Sequence, residues 1–145
     1  MIAMPSEPGQ VTAAELGELL QRAAHVFARR GIAAFAEHDL SPARVRLIVT
    51  VGENPGIKMS ELATRLAVTN RAITPLADGL EAEGLLVREA DPTDRRAFRL
   101  RLTDRGQDVR QTISALQQSV SDDIFGAIPQ PDRDHLARLL RAFLT

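Results

Sequence analysis

The chain has 145 residues, 44% of them hydrophobic, and a formal net charge of -1. That length allows one buried core, and no Gly/Ser-rich or Pro-rich linker divides it, so a single domain over residues 1-145 is expected. Cysteine is absent and His25, His38 and His135 are far apart, which excludes disulfides, thiolate chemistry and cysteine-ligated metal and leaves neither a metal site nor a cofactor expected.

The opening MIAMPSEPGQ lacks the basic start and apolar run of a signal peptide, and no stretch reaches the ~18 consecutive apolar residues of a membrane span, so a soluble cytoplasmic protein is expected. From Thr12 to Glu37, apolar residues at Leu16, Leu19, Leu20, Ala23, Ala24 and Phe27 follow i, i+3, i+4 spacing and predict a long first helix. Ser41-Pro42 then places a capping hydroxyl before a proline at the first helical position. Val45, Ile48 and Val49 give the second helix its apolar face until Asn54-Pro55-Gly56 turns the chain. A short third helix is expected to be capped by Ser60, with Glu61 in its first turn and Leu62 and Leu66 inward.

Helical period resumes at Ile73, Leu76, Ala77 and Leu80, with Thr69 as cap and Gly84 as stop. With those four residues inward, Arg71, Thr74, Pro75 and Asp78 point outward, and Asn70 lies near the helix start. Pro75 is the irregular member: it removes one backbone hydrogen bond, so it reads as a local bend or as an apolar contact to a thymine methyl group. After Gly84 the period changes from 3.6 to 2. Leu85 to Ala90 and Arg96 to Leu102 read as strands of a hairpin around Asp91-Pro92-Thr93-Asp94. Thr103 can cap a further helix with Val109, Ile113, Leu116, Val120 and Ile124 on one face. Pro131 opens the last, with Leu136, Leu139, Leu140 and Phe143. The expected class is mainly α with a small β-hairpin.

Charge is polarised in this chain. Arg95 to Arg110 contains six arginines against Asp104 and Asp108, a net of +4 in a chain of -1. In a strand, Phe98, Leu100 and Leu102 share a face that packs on the core, while Arg99 and Arg101 share the other as a basic rail. Arginines on an exposed strand also serve solubility and discourage edge pairing. What favours nucleic acid is position: the hairpin follows two short helices that read as a helix-turn-helix, whose second helix can enter a major groove while the hairpin reaches flanking backbone or minor groove. All aromatic residues are Phe, so the stacking platforms usual in single-strand binders are missing. Asn70, Arg71 and Thr74 are the candidates for base edges, because Arg pairs with guanine and Asn with adenine through two bonds. Thr69 caps the helix or meets phosphate. Arg95 and Arg99 are phosphate partners, with Ser41, Lys58, Ser60 and Arg65 as secondary ones.

The stretches LSPARVRLIVTV, MSELATRLAVTNRAITPLADGLEAEGLLVR and DPTDRRAFRLRLTDRG resemble the MarR family of bacterial transcriptional regulators, the last of them through Asp94, Arg96, Leu102, Thr103 and Gly106 of the wing signature. The resemblance implies a winged helix-turn-helix over residues 40-103 flanked by dimerisation helices over 12-37 and 104-145. It implies a homodimer on a pseudo-palindromic double-stranded DNA operator, usually as a repressor, released by a small aromatic or anionic effector. By resemblance, Arg96 reaches the minor groove and Asp94 orients it through a charge-assisted bond. An effector pocket is expected near Arg22, His25, Phe27, Arg44 and Arg46, which mix basic and apolar character. The absence of cysteine excludes the thiol switch of some family members. No nucleophile-base grouping, Gly-rich phosphate loop or spaced carboxylate pair supports an enzyme. The alternative is a winged-helix module that contacts proteins without binding DNA.

Overall fold

The computed structural model describes residues 9-145. Among these, six helices and three strands follow in the order α1 (Ala13–Ala36), α2 (Pro42–Glu53), β1 (Ile57–Lys58), α3 (Met59–Arg65), α4 (Asn70–Ala82), β2 (Leu86–Ala90), β3 (Phe98–Leu102), α5 (Asp104–Phe125) and α6 (Gln130–Leu144). The chain forms two compact units, one of residues up to Gly31 with Val120–Thr145 and the other of Ile32–Ser119. Among the described residues no helix is long and apolar enough to cross a membrane, and no group of His, Asp and Glu could hold a metal ion.

Helix starts follow the local chemistry of the sequence. The hydroxyl of Thr12 accepts from the Glu15 N–H, that of Ser41 from Arg44, with Pro42 at the first helical position, and that of Thr69 from Ala72. Gly84 ends the α4 segment at φ 75°, a conformation that glycine adopts without a Cβ penalty. Helix α3 departs from expectation, since its cap is Lys58 rather than Ser60 and no side chain caps it. The cause is β1: pairing of Ile57 with Leu100 and Lys58 with Arg99 holds Lys58 extended, and the helix begins where that pairing stops.

The expected two-stranded hairpin is therefore the larger part of a three-stranded antiparallel sheet in the order β1-β3-β2. Leu86 lies opposite Leu102, Arg88 opposite Leu100 and Ala90 opposite Phe98. The winged unit's core joins Leu47 and Ile48 of α2, Leu62 of α3, Ile73 and Leu80 of α4, Leu86 and Leu100 of the sheet and Ile113 of α5. Of the expected inward face of β3, Leu100 is fully buried, Leu102 is half-buried and Phe98 stays 41% exposed. Leu102 packs against the core beside Leu100, and Phe98 at the start of the strand lies outside it.

Helix α5 is seated on the sheet by Thr103, whose hydroxyl donates to the Gly84 carbonyl at 2.6 Å and accepts from the Gly106 N–H at 3.0 Å. In the terminal unit the Phe27 and Phe125 rings meet at 6.1 Å between centroids. Its helices also leave Leu16, Leu19, Leu20, Val26, Leu136, Leu139 and Phe143 exposed.

Candidate nucleic-acid interface

Burial of Ile73, Ala77 and Leu80 fixes the rotation of α4, so Asn70, Arg71, Thr74, Pro75 and Asp78 face outward as the helical period requires. Among the described residues Arg71 makes no ion pair. Thr74 donates its hydroxyl to the Asn70 carbonyl at 2.8 Å. Asp78 is engaged differently: Arg88 of β2 binds it with Nη2 and reaches Glu81 with Nε at 3.9 Å. The Arg88 guanidinium lies 5.3 Å from the centre of the Phe98 ring, within cation-π range. One arginine thus ties the outward-facing helix to both strands of the wing. The cleft between them, about 430 Å³, is lined by Asn70, Thr74, Arg88, Asp94 and Arg96 among others.

At the wing tip, Asp94 does not pair with the Arg96 guanidinium as expected. Its carboxylate accepts from the Arg96 backbone N–H at 3.0 Å. The short side chain reaches the amide two residues on more readily than a distant head group, so Asp94 shapes the turn. Arg95 and Arg96 are exposed and make no ion pair among the described residues.

The basic rail is also corrected. Arg99 donates from Nε to Asp91 at 2.9 Å and from Nη1 to the Gly56 carbonyl at 3.2 Å, and Arg101 donates to Glu89 at 3.1 Å. Acids on the same face of the sheet hold these arginines, because alternation places Glu89 and Asp91 there too. Asp91 is the wing's anchor: only 4% exposed, it accepts from the Thr93 N–H at 2.8 Å and the Thr93 hydroxyl at 2.7 Å, and lies 3.7 Å from Lys58 Nζ. Hydrogen bonds from the Thr93 hydroxyl and N–H, followed by the attraction of Arg99, hold its carboxyl well below the usual carboxylate range against the effect of burial.

A carboxylate with a depressed folded pKa stabilises the fold fully above its unfolded value, about 3.9, and loses that contribution as pH falls through the folded value. Asp91→Asn is therefore expected to lower the melting temperature at pH 7 and to narrow the gap to the parent as the pH drops below about 4. A thermal melt series across pH checks this, and equal curves at pH 7 would contradict it.

Sequence reasoning missed Asp91 and Arg88. Asp91 carried the signal of an Asp two residues before a Thr at a turn, and Arg88 that of a charge on the face shared with Leu86. Three of the four secondary anchors are engaged as well: Ser41 caps α2, Lys58 faces Asp91, and Arg65 binds Glu61 at 3.0 Å and the Asn54 side chain at 2.9 Å, while Ser60 is exposed. Of the expected effector residues, Arg22, His25 and Phe27 lie on α1 in the terminal unit, and Arg44 and Arg46 on α2 in the winged unit. Arg44 forms a two-pronged pair with Glu83, and Arg46 donates to the Leu66 carbonyl at 3.0 Å. Arg44 also lines a second cleft of about 410 Å³ with His38, Leu40, Leu85, Arg105 and Val109.

Residues 40–98, which hold the helix pair and most of the wing, match the sequence profile of the MarR family. The chain belongs to the MarR family. Among curated relatives, this MarR-family chain is 31% identical over 98 residues to the HTH-type transcriptional regulator TtmR of Methylorubrum extorquens, a match covering 68% of the chain and 50% of that protein. It is 32% identical over 120 residues to a putative transcriptional regulatory protein for the hcr operon of Thauera aromatica, covering 77% of the chain and 66% of that protein. The chain thus spans half to two thirds of the length of these relatives. Among solved structures, the transcriptional repressor CouR bound to a 23-mer DNA duplex superposes with a TM-score of 0.72 at 27% identity, over 94% of this chain and 100% of that one.

Proposed function

We propose that this MarR-family chain is a cytoplasmic, dimeric regulator of transcription that binds double-stranded DNA sequence-specifically, and that it represses until a small aromatic or anionic molecule releases it. The observation that carries the reading is the pairing, within one unit, of an outward helix face bearing an unpaired Arg71 with a wing whose Arg95 and Arg96 are also exposed and unpaired among the described residues. Asn70, Arg71 and Thr74 read base edges, Thr69 combines capping with phosphate contact, and Arg95 and Arg96 meet phosphate and minor groove. Asp94 and Arg99 act by holding the wing in shape. The relationship to a repressor solved on its duplex supports the same reading.

The test is duplex binding across a salt series. Neutralising phosphates releases counterions, so affinity should fall steeply with salt while preference for a selected duplex over a random one persists. A module that contacts only proteins would show neither. Aromatic acids should release the duplex, through Arg22, His25, Phe27, Arg44 or Arg46.

Dimerisation rests on the apolar residues that the terminal helices leave exposed, Phe143 among them at 72%. A homodimer buries such faces by two-fold symmetry, and places two half-sites about 10 base pairs, or a multiple, apart. Sedimentation at micromolar concentration is expected to give the mass of two chains, and a stable monomer would refute it.

A further inference from the structure

The hydrogen bonds of α4 divide its outward face into three zones. Asn70 and Arg71, at the start, are exposed and polar. Asp78, two turns on, is bound by Arg88 and so is not free to accept from a base. Between them, Thr74 donates its hydroxyl back to the Asn70 carbonyl, leaving its methyl group as the part not held by the helix. Pro75, beside it, is exposed and has no N–H. The middle of a face that otherwise carries charge is therefore apolar.

A proline inside a helix lowers its stability. Packing does not offset that here, because Ile73, Ala77 and Leu80 fill the core while Pro75 lies outside it. In a major groove the apolar feature of the base edges is the 5-methyl group of thymine. Resting on the DNA-binding reading above, we propose that Thr74 and Pro75 together recognise a thymine 5-methyl group in each half-site, next to the base pair met by Arg71. The positive charge of Arg95 and Arg96 holds the duplex against this face, and the apolar pair selects among sequences together with Arg71.

The experiment uses the full chain and a duplex that it enriches from a randomised pool. Each thymine is replaced in turn by deoxyuridine, which removes the methyl group and leaves every hydrogen-bonding group in place. One position per half-site should weaken binding about fourfold, the equivalent of about 0.8 kcal/mol for one methyl group. Pro75→Ala and Thr74→Ser should each reduce that sensitivity, while Pro75→Ala, which restores a backbone N–H, should raise the melting temperature. A purely structural proline would leave the deoxyuridine profile unchanged in the variant, which would overturn the proposal. A parent that prefers its enriched duplex yet responds to no deoxyuridine would overturn it too. Failure to enrich any duplex would instead remove the DNA-binding reading on which it stands.

Discussion

Arg71→Ala is expected to cost about 1 to 3 kcal/mol of operator affinity and to relax preference at one base pair of each half-site, with little change in binding to random duplex. Arg71 is exposed on the outward face of α4 and makes no ion pair among the described residues, so its removal leaves no buried partner behind. Arg96 is expected to behave differently. It stands at the wing tip with its guanidinium unpaired among the described residues, and Arg96→Ala should weaken binding most on duplexes with A/T-rich flanks, whose narrow minor grooves attract arginine. Arg95→Ala should weaken all duplexes alike and reduce the salt slope by about one per contact. Arg99→Ala should lower the melting temperature as well as affinity, because it leaves buried Asp91 with one partner fewer. Affinities for operator and random duplex over a salt series distinguish these outcomes. Equal losses on both duplexes for Arg71→Ala and Arg95→Ala would refute the division into a reading helix and an anchoring wing.

The second large effect is expected at Gly106, which is buried where α5 meets the start of β2. A Cβ on Gly106 would lie 2.1 Å from the Leu85 carbonyl oxygen and 3.2 Å from the Leu102 Cβ. The clash is with backbone, and the neighbouring Thr103 bonds to Gly84 and Gly106 hold α5 against that same strand start. Gly106→Ala, normally a stabilising change within a helix, should therefore destabilise the protein by at least about 1 to 3 kcal/mol, the usual cost of overpacking. Gly79→Ala, on an open face of α4 with nothing within 4 Å of the added Cβ, is the matched control and should be neutral or stabilising. Chemical denaturation of both variants checks the contrast, and a Gly106→Ala protein as stable as the parent would contradict the close approach.

Much of the fold was legible because it is set by short-range chemistry. Ser41-Pro42, Thr69 and Gly84 bound their helices through groups only a few residues away, and the spacing of Ile73, Ala77 and Leu80 sufficed to turn Arg71 and Thr74 outward. The sequence by itself thus determined the helices, the wing hairpin and which residues of α4 face outward. What it could not determine depended on partners distant along the chain. A two-residue strand has no periodicity to detect, and β1 exists because Ile57 meets Leu100. Arg99 and Arg101 look free in sequence and are held in the fold, because the pleat brings Asp91 and Glu89 to their side. Arg88 sits inward because its register opposite Leu100 aims it at Asp78 and Phe98. Charges act through space, so which arginines are held by acids and which stay exposed and unpaired among the described residues was decided by tertiary structure.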